Sequence, residues 1–265
     1  MDQSLKGEIK GYLEAAVRKF WADSSRSVNG LDLKELRPFQ YRLSPNAYTH
    51  MSSVSKHSYD TRSGNWWKDI AFMVAKKSHL EAVREYKLTA DMSPAAESVI
   101  NEILVEMDNH TRKPSRGQDI SQTLSAQFAA GQPRTEQVDL YVRRADGAEL
   151  FFEMKTPEPN SRDSKDIKRM ILYVSAMKKG SSAEAYGSCA YNPSGDGNPY
   201  EPALKFVTQY NEVNYDFLVG RDFWEKVGGP ETYDELLSIC DDVGTLSDGL
   251  FTGFLQGLDR QGKLI

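Results

Sequence analysis

The sequence is poor in the residues from which most metal and disulfide scaffolds are made. It has two cysteines in 265 residues, Cys189 and Cys240, far apart and in no CxxC spacing. That argues against a disulfide framework or a zinc ribbon and fits a reducing cytoplasm. Its four histidines, His50, His57, His79 and His110, form no HxxxH pair, so a histidine-based zinc site is not expected. No apolar run reaches the roughly 18 residues of a membrane-spanning helix. The N-terminus MDQSLKGEIKGYLEAAVRKFW lacks the apolar core of a signal peptide. There is no GxGxxG, no P-loop and no GxSxG, so dinucleotide, nucleotide-phosphate and serine-hydrolase chemistry have no sequence support. Positive charge is in deficit: the formal net charge is −5, which gives the whole molecule no attraction for phosphate. No internal repeat or low-complexity linker divides the chain. The length suits one sizeable core, and we read residues 1–265 as a single domain.

The charge that is present is unevenly placed. Acids crowd the C-terminal part at Asp234, Glu235, Asp241, Asp242 and Asp248. Bases crowd at Arg112, Lys113 and Arg116, at Arg162, Lys165, Lys168 and Arg169, and at Lys178 and Lys179. A basic groove on an acidic body and a set of solvated helix faces both fit this pattern.

Residues 1–110 read as mostly helical. Leu5, Ile9, Tyr12, Leu13, Ala16, Val17 and Phe20 recur at helical spacing. The stretch Pro38 to Arg62 reads as polar and irregular. A second helix is expected from about Asn65 to Lys77, with Trp66, Ile70, Met73 and Val74 on one face. A third opens at Ser93-Pro94, an N-cap followed by proline at the first helical position. Asn109 to Gly117 reads as a basic loop. Residues 130–225 carry the sheet, and residues 226–265 return to helix. The helix after the hairpin is expected over Ser164 to Lys179, with Ile167, Met170, Ile171 and Val174 buried and Arg162, Lys165 and Arg169 opposite. Ala190 to Pro202 is turn-rich, and Tyr215 to Val219 reads as a strand.

The informative stretch is VDLYVRRADGAELFFEMKT, Val138 to Thr156. Val138, Leu140 and Val142 alternate with Asp139, Tyr141 and Arg143; Leu150, Phe152 and Met154 alternate with Phe151, Glu153 and Lys155. Both runs have the period of a strand. A two-residue turn at Asp146-Gly147 would put the two acids on different faces. A three-residue loop, Ala145-Asp146-Gly147 with a left-handed glycine, pairs Arg144 with Ala148, Tyr141 with Phe151 and Asp139 with Glu153. This second register is preferred because it separates polar from apolar groups. It puts Asp139, Glu153 and Lys155 on one face and leaves Val138, Leu140, Val142, Leu150, Phe152 and Met154 as a continuous apolar face.

Opposed carboxylates repel across a strand pair, and a divalent cation between them removes the problem. Hard oxygen ligands suit Mg²⁺. Lys155 lies roughly 7 Å further along the strand, where it can position or deprotonate a water or stabilise charge on a phosphate oxygen. Two carboxylates, a cation and a lysine are the parts that phosphodiester hydrolysis needs. The plainer alternative is an ion pair on an exposed hairpin face. Acid-x-lysine triplets recur elsewhere in the chain, as in Glu8-Ile9-Lys10 and Asp166-Ile167-Lys168. Context favours the first reading: the triplet ends an apolar strand, prolines follow it, and a basic helix comes next.

The order helix, strand with Asp139, strand with Glu153-Met154-Lys155, helix resembles the core of the PD-(D/E)xK nucleases. The proline usual before the first acid is absent; Val138 stands there. The text FFEMKTPEPN, with AYNPSG, FLVGRDFWEKVGG and HSYDTRSGNWWKDIAFMVA, resembles type II restriction endonucleases, in particular the TdeIII-like family, over most of the chain. The resemblance implies an α/β (α+β) fold with a central mixed sheet flanked by helices. It implies a Mg²⁺-dependent, sequence-specific double-stranded DNA endonuclease that leaves 5′-phosphate and 3′-hydroxyl ends. Asp139 and Glu153 would hold the metal with the Met154 carbonyl, and Lys155 would be catalytic. A cognate DNA methyltransferase would be its functional partner, and a palindromic site would imply a homodimer. A structure-specific repair or recombination nuclease of the same fold, and a non-catalytic DNA-binding protein, are the alternatives.

Such nucleases often draw a further acid from an upstream helix, and two residues qualify. Glu97 lies about 60° from the centre of its helix's apolar face, and Asp69 follows Trp66-Trp67-Lys68. Arg162, Lys165 and Arg169 are candidate phosphate contacts. Tyr191 and Asn192 are candidate base readers, since asparagine can pair with adenine; turn chemistry also accounts for Asn-Pro-Ser-Gly. Trp66 and Trp67 suit core packing better than base stacking.

Overall fold

The computed structural model describes residues 1–23, 38–43, 53–128, 131–179, 181–200 and 205–260. In chain order the helices and strands are α1 (Gln3–Asp23), α2 (Pro38–Leu43), α3 (Ser53–Ser78), β1 (Glu81–Met92), α4 (Pro94–Asp108), α5 (Arg116–Ser125), β2 (Gln132–Arg143) and β3 (Glu149–Met154). They continue with α6 (Ser161–Met177), β4 (Ala183–Cys189), α7 (Lys205–Tyr210), β5 (Phe217–Val219), α8 (Arg221–Gly228) and α9 (Thr232–Arg260). The five strands form one sheet in the order β1-β2-β3-β4-β5. β1, β2 and β3 are antiparallel; β4 and β5 run parallel to β3. The result is a mixed sheet with helices on both faces. Its middle strand is β3, the one that ends in Glu153-Met154.

The hairpin closes as its residues require. Gly147 has φ +83°, the left-handed conformation in which a side chain is costly. Its N–H donates to the Arg144 carbonyl, and the Arg144 N–H donates to the Ala148 carbonyl. The ladder then runs Arg143 to Glu149, Tyr141 to Phe151 and Leu140 to Phe152. One step further along this register, Asp139 stands opposite Glu153. This is the three-residue loop expected from the sequence.

The division into one polar and one apolar face needs correction. Leu140, Val142, Leu150, Phe152 and Met154 do pack together, against α1, α3, α8 and α9. Val138 does not join them. It lies in the other layer with Tyr141 and Phe151, under α6. The cause is an irregularity in the neighbouring strand. Glu85, across from Asp139, has φ +49° and is skipped in the β1–β2 ladder between Arg84 and Tyr86. Val83 and Tyr86 therefore both turn toward α6, and β2 changes face at Asp139. The hairpin is not a solvated ribbon: Tyr141 and Phe151, on the same face as Glu153, are both buried.

Elsewhere the described residues extend or replace several expected elements. Residues 38–43 and 53–62 are helical, not irregular; α2 buries Phe39 and Leu43. The first turns of α3 are polar, so they carry no apolar period that would mark a helix. α5 occupies ground expected as loop or left without an element. β1 and β4 were not expected at all. β4 (AEAYGSC) is rich in small residues, and at Gly187 the packing is close: a Cβ there would come within 2.5 Å of Ile167 and 2.7 Å of Phe217. α9, Thr232–Arg260, lies within the stretch expected to return to helix. The Ser93 cap is as expected, its hydroxyl accepting from the Ala96 N–H at 3.1 Å. Trp66 and Trp67 are buried, and Trp67 packs on Phe39. Both cysteines are buried and free, and burial pushes the Cys189 thiol up to about 12.

α6 is fixed to the sheet by buried charge. Lys168 is fully buried, its Nζ 2.6 Å from Asp119 and 2.7 Å from Asp216, both also fully buried. Arg112 reaches Asp119 at 2.6 Å, and Arg116 reaches Asp216 at 3.1 Å. Each acid thus has two cations. Removing one member of such a network strands a buried charge, at a cost of roughly 3–5 kcal/mol. Asp216→Ala is expected to lower unfolding free energy by about that amount in urea titrations; a loss below about 1 kcal/mol would show that the network is not holding α6.

Candidate active site

β3 carries Glu153 and Lys155 past the end of its pairing with β2. The Lys155 N–H still donates to the Ser188 carbonyl of β4 at 2.8 Å, so the backbone at this point is held by a parallel neighbour. The Lys155 ammonium lies 3.0 Å from Glu153 Oε1 and 3.6 Å from Asp163, in the first turn of α6. Asp139 uses both oxygens. Oδ1 accepts from Lys68 Nζ at 2.7 Å, and Oδ2 accepts from the Met154 N–H at 2.8 Å. Two acids and two lysines therefore meet at one end of β3. The three hairpin residues singled out in the sequence are brought together, and α3 adds Lys68, which sequence reasoning missed. Its only signal was its place beside the buried stripe of Trp67 and Ala71.

Electrostatics set the character of the site. Burial, and then the charge of Asp139, holds the Glu153 carboxyl above its ordinary range; Lys155 and Lys68 oppose this without cancelling it. Burial works against the Lys155 charge, but Glu153, Asp163 and Asp139 outweigh it, so its pKa is raised. Lys155 is therefore a cation at neutral pH. Glu136, further back on β2, is pushed up to about 6, chiefly by burial; Arg169 pulls it down, and Glu153 and Asp166 push it up.

Lys68 and Lys155 both line a cleft of about 460 Å³ with Trp67, Met154, Tyr191 and Pro193 among its walls. A wider depression of about 810 Å³ lies at α5 and Tyr215, away from these residues, and gathers no comparable chemistry. Among the described residues no three acids, cysteines or histidines are grouped so that together they could hold a metal ion. The site is a carboxylate pair flanked by lysines.

Sequence comparison supplies the class of chemistry. The model of the family described as type II restriction endonuclease, HinfI, matches residues 5–244. This chain belongs to the HinfI family. It is a type II site-specific deoxyribonuclease. It is 29% identical over 253 residues to the type II restriction enzyme HgiCII of Herpetosiphon aurantiacus, covering 91% of this chain and 92% of the relative. HgiBI of the same organism is 27% identical over 251 residues, covering 92% and 90%. No solved structure matches the chain.

The remaining candidates fall in different places in this HinfI-family chain. Asp69 pairs with Arg84 and accepts from the Tyr12 hydroxyl. Glu97 pairs with Arg134 at 2.5 Å and accepts from the Tyr173 hydroxyl at 3.4 Å. Neither is joined to Asp139, Glu153 or Lys155 by a hydrogen bond or ion pair. Arg162 is 90% exposed, Arg169 is half-exposed, and both lean on Asp166. Lys165 is tied to Asp108. Tyr191 is buried in the core. The Asn192 amide is engaged within its own loop, donating to Asn198 O and accepting from the Ser194 N–H. His50 and residues 261–265 lie outside the described residues. Among the described residues no helix is long and apolar enough to cross a membrane.

Glu136 offers a test of this electrostatic picture. A carboxyl whose folded pKa exceeds its unfolded value costs stability once ionised. The penalty is absent below about pH 4.5 and complete above about pH 6. Glu136→Gln in EDTA should be more stable than wild type above pH 6, by at most about 2 kcal/mol. The gap should close by pH 4.5. Parallel thermal melts across that range would read it, and a constant gap would count against the assignment.

Proposed function

We propose that this enzyme is a Mg²⁺-dependent nuclease of the PD-(D/E)xK type, cutting double-stranded DNA at a specific sequence to leave 5′-phosphate and 3′-hydroxyl ends. The observation that carries the reading is the meeting of Asp139, Glu153 and Lys155 at one end of β3, in a chain of restriction-enzyme family. The TdeIII-like resemblance at FFEMKTPEPN belongs to the same reading, since that text is the strand and loop carrying Glu153 and Lys155.

The residues suit a divalent cation. Two half-buried carboxylates lie close enough for the charge of one to raise the pKa of the other, and such a pair favours a hard cation with oxygen ligands. Asp139, Glu153 and the Met154 carbonyl would hold it. When bound, the cation supplies a Lewis acid that makes water a better nucleophile and neutralises phosphate charge. The chain supplies the rest. Lys155, kept protonated by its acidic neighbours, can orient a water and offset charge building on a phosphate oxygen; general-base action would require it to lose a proton that these neighbours hold. Asp163, in the first turn of α6, helps to aim the ammonium.

Arg162 and Arg169, exposed on the helix that follows, suit contacts to DNA phosphates. Lys165 would join them by giving up Asp108, and Tyr191 with Asn192 would act through the loop they anchor. Asp69 and Glu97, each held in an ion pair, would serve the site only after rearrangement. A homodimer on a palindromic site, a cognate methyltransferase and a cytoplasmic setting complete the proposal.

The test is digestion of unmethylated linear phage DNA with Mg²⁺ or with EDTA, beside Lys155→Ala. Discrete fragments that require Mg²⁺ and fall by roughly 10²-fold or more in the variant are expected. A smear would favour a structure-specific nuclease. Full activity in Lys155→Ala would remove this lysine from the chemistry.

A further inference from the structure

Lys68 is held in place more firmly than a surface lysine. The residue before it, Trp67, is buried against Phe39, and the residue after it, Asp69, is paired with Arg84 of β1. These contacts on either side fix the rotation of α3 about its axis. Lys68 is thereby aimed at the end of β3, where Asp139 is its ion-pair partner among the described residues. The pair is largely withdrawn from water: the side chains of Lys68 and Asp139 are 29% and 17% exposed. At such a site Coulomb interactions act through a lower effective dielectric than at an open surface.

Asp139 has no oxygen without a donor. The Met154 N–H holds Oδ2, and Lys68 holds Oδ1. The Met154 amide is neutral and belongs to the sheet backbone. The Lys68 ammonium is a full positive charge on a flexible stem. A second cation at this carboxylate must displace that ammonium or sit beside it, and both cost free energy.

We propose that Lys68 is a second lysine of the active site, a positioning residue that competes with a divalent cation for Asp139 and so weakens cation binding by the protein alone. This rests on the reading that Asp139 is a cation ligand. The competition has a consequence for the substrate. A DNA phosphate at the cleft that Lys68 and Lys155 both line would draw the ammonium off the carboxylate. Phosphate and cation would then each favour the binding of the other.

The experiment is Mn²⁺ binding to the full chain without DNA, followed by the paramagnetic resonance of the free ion. It compares wild type with Lys68→Met, Lys68→Gln, Lys68→Arg and Asp139→Asn. Both neutral variants should bind Mn²⁺ roughly tenfold more tightly than wild type, within the usual range for coupling between ligands. Lys68→Arg should stay close to wild type, because it keeps the charge. In the neutral variants Mn²⁺ should also raise the thermal midpoint by more than in wild type, which checks that they are folded. Unchanged or weaker Mn²⁺ binding in folded Lys68→Met and Lys68→Gln would overturn the proposal and leave Lys68 a structural ion pair. Wild-type binding in Asp139→Asn would instead overturn the cation assignment, and this inference with it.

Discussion

The register of one hairpin governs the arrangement of this protein's charged groups. Gly147, in a left-handed conformation, closes a three-residue loop. That loop sets Tyr141 against Phe151 and carries Asp139 to the level of Glu153. A shift of one residue would exchange the faces of β3, because side chains alternate along a strand. Glu153 and Lys155 would then enter the apolar layer beneath α1 and α3, and Phe152 would leave it. Both sides of β3 are covered, so the sheet has no tolerance for such a slip.

Charge in the molecule divides into two kinds of arrangement. Under α6, Lys168, Asp119, Asp216, Arg112 and Arg116 satisfy one another almost completely. That set is closed, and its work is to hold a helix to a sheet. At the end of β3 the balance is strained. Asp139 and Glu153 are near enough to interact unfavourably, and Glu136 adds a third acid with a raised pKa. Lys68 and Lys155 relieve part of this. The carboxylate pair suits a cation, and the lysines beside it suit a phosphate. A nuclease needs both within one small volume.

Several features were legible in the sequence because they are local. The period-two runs marked β2 and β3, Asp146-Gly147 marked the turn, and Ser93-Pro94 marked the start of α4. The grouping of Asp139, Glu153 and Lys155 could be read for the same reason, since its members are joined by a short hairpin. β1 was harder to read, because Glu85 breaks its alternation with a positive φ. β4 was hidden by its small residues, which give no hydrophobic period; at Gly187 it packs closely against Ile167 and Phe217. Lys168 looked like a surface base beside Arg169. Its complete burial depends on Asp119 and Asp216, which are distant in sequence.

The sequence by itself determined the hairpin, its register, the acid pair with its lysine, and the restriction-enzyme character of the chain. The first three follow from steric rules and spacing that act over a few residues; the last rests on a likeness to known enzymes that runs along most of the chain. Only the tertiary structure decided which other groups join them. Lys68 reaches Asp139 across 71 positions of chain, while its neighbour Asp69 is turned away to Arg84. Adjacent helical residues point about 100° apart, so the rotation at which α3 packs on the sheet chose between them. That rotation is set by the burial of Trp67 against Phe39, a contact between segments that no local pattern connects.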